Sequence, residues 1–355
     1  MRLSRAFSML RRSWRGLALA VAVVVTGIVA VFALPAAADR GGRPCVRPDV
    51  AGDTRVDVSF AGTTYSVLVY VPDSVRRTRR VPLVLNLHGS QANGAIQMEV
   101  SGLRAVADDE GFIVAAPSGD IALPPPAQPP DPNGHWAWNV PGVPTTAGLL
   151  PSPTARNDVE FLSHVIDAVS RELCTDTRRT YVTGHSGGGR MASALGCRIA
   201  DRIAAMAPNS GLRAGRPHPD DVSVPEVEDC RPARPLPVLT FHGQQDVVNP
   251  YPGNGDLRWG YAVPLAVQTW ARLDDCRRGP QATTVSEHVT RFSYTGCRGG
   301  VEVQFYRVSN GGHTWPGSNG PPHGPGLVTR EIDASRIIWD FFEDFRLPRR
   351  APGHD

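Results

Sequence analysis

Gly184-His185-Ser186-Gly187-Gly188 fits the pattern G-x-S-x-G. It follows an expected strand over 180–183 and precedes a helical pattern over 188–199. A serine on such a turn is pushed out at the carboxyl end of a sheet, where its hydroxyl can attack a carbonyl. Bulky residues at positions 184 and 188 would clash there, and the turn aims the Gly187 N–H at a developing oxyanion. A serine nucleophile needs a base, and the base needs an orienting acid. In this context the chain order is serine, acid, histidine. Asp246 lies 60 residues after Ser186, in Phe241-His242-Gly243-Gln244-Gln245-Asp246, where a strand enters a loop. His313 lies 67 residues further on, in Gly311-Gly312-His313-Thr314-Trp315, just past another strand. The chemistry available to Ser186, His313 and Asp246 is acyl transfer through a covalent acyl-enzyme.

Other residues compete for these roles. Asp274 and Asp275 could be the acid, but they fall at the end of a helical pattern. His185 flanks the serine and is expected to point elsewhere on the turn. His242 sits in the strand exit and reads as structural, and His288 and His323 lack a strand-end position. A second oxyanion donor should come from Leu87-His88-Gly89-Ser90, where small residues let a backbone N–H approach the substrate oxygen. Gly187 is one expected donor and this stretch is expected to supply the other, although His88-Gly89 also reads as a plain strand-exit turn. Trp138, Tyr251 and Trp315 are candidates to line a substrate pocket; as core or loop-packing aromatics they would have no such role.

The elements that must position these groups are legible from periodicity. Residues 54–60 and 64–71 alternate around Ala61-Gly62 and form an expected hairpin. VPLVLNL at 81–87 is a nearly continuous apolar run, as a strand buried on both faces requires. A helical pattern over 96–109 and a short strand over 112–116 follow. Residues 158–173 place Val159, Leu162, Val165, Ile166 and Val169 on one face of a helix. Short strands over 203–207 and 237–241, a helix over 264–273, a strand over 301–308 and a closing helix over 331–345 complete the pattern. Strands alternating with helices give an α/β fold with a mostly parallel central sheet. Residues 117–154 hold 11 prolines and break the pattern. A loop that long within a domain is functional or disordered, and Trp136 and Trp138 argue that part of it packs. Residues 211–235 form a second Pro-rich excursion.

The chain has 355 residues, of which 41% are hydrophobic and 20% charged, which fits a folded globular body rather than a disordered one. The formal charge of +3 rests on five arginines before residue 16. Without residues 1–38 there are 32 basic and 34 acidic residues, a net of −2. A near-neutral body carries no electrostatic footprint for nucleic acid. There is no lysine. No H-E-x-x-H, P-loop, EF-hand or complete dinucleotide fingerprint occurs, so no metal or cofactor is expected.

Residues 1–38 read as a secretory signal: a basic start, an apolar run over 17–34, and Ala36-Ala37-Ala38. The run is also about long enough to span a bilayer, so an uncleaved membrane anchor is the alternative. Arg11-Arg12 hints at twin-arginine export, and no lipidation box surrounds Cys45. The expected organisation is a signal over 1–38, an N-terminal segment over 39–53, a single catalytic domain over 54–348 and a tail over 349–355. The location is secreted, and the oligomeric state stays open. Six cysteines lie beyond the signal, an even count that suits disulfides in an oxidising compartment. Cys276–Cys297 is the preferred pair, because a hairpin-like stretch separates them. Cys197–Cys230 and Cys45–Cys174 then remain, with buried free thiols as the alternative.

Six stretches together carry a family resemblance: VPLVLNLHGS at 81–90, GFIVAAPSG at 111–119, NDVEFL at 157–162, TRRTYVTGHSGGGRMA at 177–192, PVLTFHGQQDVVNPY at 237–251 and GGHTWPG at 311–317. The chain resembles the secreted polyhydroxybutyrate depolymerases and the feruloyl and acetyl-xylan esterases of carbohydrate esterase family one. The resemblance implies an α/β-hydrolase fold with no cofactor. It makes Ser186 the nucleophile, Asp246 the acid, His313 the base, and Ser90 and Gly187 the oxyanion donors. Two departures blur the subfamily: many relatives have Cys where this chain has Ser90, and Ser-Asn or Ser-Ala where it has Gly187. No separate substrate-binding module or Ser/Thr-rich linker is visible, which argues against crystalline polyester as substrate. The expected function is hydrolysis of short acyl, hydroxyalkanoate, feruloyl or acetyl esters, free or attached to a polymer. The rivals are an envelope acyltransferase and a catalytically silent binding module on the same fold.

Overall fold

The computed structural model describes residues 46–75, 78–123, 129, 131–321 and 323–349. The expected signal over 1–38, Cys45 and the tail beyond 349 lie outside the described residues. Strands β1 (Gly52–Phe60) and β2 (Thr63–Val71) form the opening hairpin, followed by β3 (Val81–Leu87). Helices α1 (Gly94–Ser101) and α2 (Leu103–Glu110) lead to β4 (Ile113–Ala116). A helix running through 96–109 is therefore corrected to two: Gly102 adopts φ 63°, and its left-handed conformation ends the first helix and starts the second. In the Pro-rich region β5 (Ile121–Ala122) pairs with β6 (Trp136–Ala137) as a small separate sheet.

Helix α3 (Asp158–Leu173) is capped by the Asn157 side chain, which accepts the Glu160 N–H. Then come β7 (Thr175–His185), α4 (Gly187–Arg198), β8 (Ala205–Asn209), β9 (Val238–Gly243) and α5 (Val263–Leu273). Strands β10 (Arg278–Thr284), β11 (Val289–Thr295) and β12 (Val303–Val308) and helix α6 (Ala334–Glu343) complete the chain. Ten strands form one sheet in the order β1-β2-β4-β3-β7-β8-β9-β12-β11-β10. The six from β4 to β12 run parallel, and the outer strands on each side are antiparallel.

The sheet is covered on both faces. Leu83, Leu85 and Leu87 of β3 join the core beneath α3, α4 and α5, while Val84 joins the core shared with α1, α2 and α6. This two-sided burial is why the strand reads as an unbroken apolar run rather than an alternating one. Disulfides Cys197–Cys230 and Cys276–Cys297 are both present, the second closing the β10–β11 hairpin. Cys174 is also disulfide-bonded. No helix among the described residues is long and apolar enough to cross a membrane.

Candidate active site

Parallel strands carry their carboxyl ends to one edge, and four of the loops leaving that edge hold the site. The Gly89-Ser90 turn follows β3, Ser186 follows β7, Asp246 follows β9, and His313 follows β12. Ser186 adopts φ 55° and ψ −113°, a strained conformation for a residue with a side chain. The strain is held by the Ser186 N–H on the Asn209 carbonyl at 2.9 Å and by the Arg190 N–H on the Ser186 carbonyl at 2.9 Å. The helix of the turn passes so close to β3 that a Cβ on Gly188 would sit 2.1 Å from the Leu87 carbonyl oxygen. Only glycine fits there.

Asp246 and His313 meet directly. His313 Nδ1 donates to Asp246 Oδ2 at 2.7 Å. The other carboxylate oxygen accepts the backbone N–H groups of Val248 at 2.9 Å and Asn249 at 2.7 Å. Burial alone would raise the Asp246 pKa, but the hydrogen bond and charge of His313, the nearby His242 and the Asn249 N–H hold it below the usual carboxylate value. A carboxylate held ionised in this way fixes the ring of His313 through Nδ1. The two loops are bound to each other: Gln244 and Gln245 N–H groups donate to Val308 and Gly311 carbonyls, and a Cβ on Gly243 would lie 2.2 Å from the Gly311 oxygen. Ser186 and His313 open into one cavity of about 820 Å³, counting its open mouth. No hydrogen bond joins their side chains among the described residues.

Ser90 and Gly187 also converge. A Cβ on Gly187 would lie 3.1 Å from the Ser90 nitrogen, so the two backbones are in close approach. His88 fixes the turn between them. Its Nε2 accepts the Gly119 N–H at 2.8 Å, which leaves the proton on Nδ1, 2.7 Å from the Gly89 carbonyl. The Gly89 carbonyl belongs to the same peptide plane as the Ser90 N–H, so this bond sets where that N–H points. Burial lowers the His88 pKa to about 3, so the ring stays neutral.

Trp138, Tyr251 and Trp315 are not among the residues that line the cavity around Ser186. Trp315 is buried, and its Nε1–H donates to Ser335 Oγ. Trp138 is buried against His88, with ring centroids 4.7 Å apart, and donates to the His88 carbonyl. Tyr251 packs toward Phe305 and His242. The cavity is lined instead by Gln91, Thr146, Val248, His323 and Pro325, together with Ser90, Ser186 and His313. Thr146 comes from the Pro-rich region. His323 sits on an irregular loop, where no periodicity could have marked it. His185 lies closer than expected, with its ring centroid 4.8 Å from that of His313. It bonds Asn209 and the His323 carbonyl, and burial, with His313 and His323 nearby, drives its pKa well below the ordinary value. His242 is structural, with Nε2–H donating to the Asn249 carbonyl at 2.8 Å. Asp274 lies outside this cavity and accepts the Leu236 N–H.

No family model matches the chain. In sequence it is 29% identical to feruloyl esterase B of Piromyces equi over 79% of its length and 45% of that protein. It is 27% identical to the bifunctional acetylxylan esterase/xylanase XynS20E of Neocallimastix patriciarum, over 71% of its length and 31% of that protein. Against the poly(3-hydroxybutyrate) depolymerase of Ralstonia pickettii the identity is 25% over 94% of this chain and 66% of the other. The chain thus spans less than half the length of the first two relatives. In structure it matches an acetyl xylan esterase from Aspergillus awamori with TM-score 0.50, 15% identity, and 70% and 89% of the two chains covered. The fold is the α/β-hydrolase fold.

Proposed function

We propose that this chain is a serine carboxylic ester hydrolase, with Ser186 as nucleophile, His313 as base and Asp246 as the orienting acid. The observation that carries the reading is the 2.7 Å bond from His313 to a buried Asp246, on loops that open into the same cavity as a strained Ser186. In the reaction His313 Nε2 takes the Ser186 proton as Oγ attacks the ester carbonyl. The Ser90 and Gly187 N–H groups hold the oxyanion. The imidazolium then protonates the departing alkoxide, leaving an acyl-enzyme. Water, deprotonated by the same ring, attacks the acyl carbonyl, and the acid and free Ser186 are released.

The sequence relatives support feruloyl, acetyl or hydroxyalkanoate esters as the substrate class. The basic, apolar and small-residue pattern of 1–38, with the disulfides of the folded part, supports export as a secreted protein. The organisation that goes with it is a removable signal followed by one catalytic domain over 54–348. The test is hydrolysis of p-nitrophenyl acetate, butyrate and octanoate and of methyl ferulate, beside Ser186→Ala. The reading predicts turnover that falls about a million-fold in the variant. A variant that keeps a tenth of the activity would overturn it.

A further inference from the structure

Among the described residues, six other than glycine adopt a positive φ, and two of them line the Ser186 cavity: Ser186 itself, and Gln91 at φ 64°. A side chain in the left-handed region is strained, and the surroundings must hold it there. Gln91 directly follows Ser90, the second oxyanion donor of the proposed reaction, so what holds Gln91 also governs where the Ser90 N–H lies. The restraint comes from the Pro-rich region. The Gln91 N–H donates to the Trp136 carbonyl at 2.9 Å. The Gln91 carbonyl accepts from His135 Nδ1 at 2.8 Å. The peptide planes on both sides of Gln91 are thus tied to two consecutive residues, which fixes its φ and ψ between them.

The neighbours of His135 anchor this segment. The Trp136 N–H donates to the Ala92 carbonyl at 2.9 Å, and Asn93 Nδ2 donates to the Gly134 carbonyl at 3.0 Å. Trp138 Nε1–H donates to the His88 carbonyl at 2.8 Å. Trp136 is only 1% exposed, and its Nε1–H bonds the Asp131 carbonyl. His135 differs from both tryptophans. Its side chain is exposed, so removing it opens no hole in the core, and what is lost is the bond to Gln91. Without that bond one of the two ties on Gln91 is gone, and the backbone can relax out of the left-handed region. We propose that His135 is a positioning residue for the oxyanion turn: by holding the Gln91 carbonyl it keeps Gln91 left-handed and the Ser90 N–H on its target. His88 fixes the peptide plane before Ser90, and His135 with the Trp136 carbonyl fixes the residue after it. The proposal rests on the hydrolase reading and gives part of the Pro-rich region a role in it.

The test is steady-state kinetics on p-nitrophenyl butyrate, run beside Ser186→Ala. His135→Ala should lower kcat about threefold to tenfold, the effect of one hydrogen bond at a solvated position. KM should move by less than about twofold, and circular dichroism should show the fold unchanged. His135→Asn should restore most of the kcat, because its amide N–H can donate as Nδ1 does. Glycine takes a left-handed φ without strain, so in a Gln91→Gly background the same His135→Ala change should lower kcat by less than about twofold. That coupling is the deciding readout, since a loss through general destabilisation would be the same in both backgrounds. Unchanged kcat in a folded His135→Ala protein, a change in KM alone, or an equal loss with and without Gln91→Gly overturns the proposal while leaving the hydrolase reading intact. Turnover that survives Ser186→Ala overturns the hydrolase reading, and this proposal with it.

Discussion

Asp246 and His313 are 67 residues apart in sequence and 2.7 Å apart in space. The contact is built by two adjacent parallel strands, β9 and β12, paired from Val238 with Val303 to Gly243 with Val308. Each strand ends level with the other, and glycine at 243 lets the following loops touch. Asp246→Asn keeps this geometry but lets the amide N–H donate to Nδ1, which puts the ring proton on Nε2 and fixes the wrong tautomer. Turnover should fall on the order of ten-thousand-fold, with the fold intact by circular dichroism. Near-normal steady-state kinetics would place the acid elsewhere.

In the proposed mechanism His88 is a positioning residue rather than a catalytic one. Through the Gly89 carbonyl it orients the Ser90 N–H. Replacing it with Phe should lower kcat on the order of tenfold to a hundredfold, less than the loss of a whole oxyanion donor. KM should move by less than about threefold. His88→Gln can accept from Gly119 and donate to Gly89, so it should recover part of kcat. A Phe variant that changes KM alone would show that the ring serves substrate binding and not the oxyanion turn.

Acid should destabilise the fold well above the pH where carboxylates usually matter. Burial lowers the pKa of His88 to about 3 and of His242 to about 4, and it lowers those of His185 and His323 as well. Below about pH 6.5 the unfolded chain takes up protons that these folded rings refuse, so stability falls as pH falls. Burial works the other way on Asp158 and Asp274, raised to about 6 and about 7, and they return part of the loss. His88, His242 and His185 outnumber the two carboxyls, which leaves a net decline between about pH 6 and 4, at roughly 1.4 kcal/mol per unit for each net proton. Chemical denaturation across that range checks it. A stability that is flat or rises toward pH 4 would contradict the neutral, buried state of these rings.

The disulfides close loops of 33 and 21 residues. Loops of that length predict roughly 3–4 kcal/mol of stabilisation each, mostly by restricting the unfolded chain. The Cys276→Ser, Cys297→Ser double variant should lose about that much in chemical denaturation and keep its kcat, since the hairpin lies at the sheet edge away from the site. Peptide mapping without reduction should recover Cys276 joined to Cys297 and Cys197 joined to Cys230. Free thiols at these positions would refute the pairing.

The parts of the site that sequence makes legible are those fixed by regular structure. β3 and α3 are legible to the residue because burial on two faces and a clean helical stripe leave no other reading. Ser186, Asp246 and His313 are legible because each follows a strand whose apolar pattern is plain. The break at Gly102 is hidden, since the apolar spacing continues across it while the backbone turns left-handed. His323 and Thr146 are hidden because irregular loops carry them to the cavity, and no period marks a loop. Trp138 and Trp315 mislead in the other direction. Both rings are buried instead, Trp138 against His88, to whose carbonyl it donates, and Trp315 bonded to Ser335.

The most direct measurement of the central claim is covalent. An alkyl fluorophosphonate reacts with an activated serine and releases fluoride, leaving a phosphonyl ester on its oxygen. Incubation with such a reagent, followed by tryptic peptide mapping, should place one adduct on Ser186, with esterase activity lost in proportion to labelling and no labelling in Ser186→Ala. An adduct on another serine, or full activity with Ser186 modified, would contradict the assignment of Ser186 as the nucleophile.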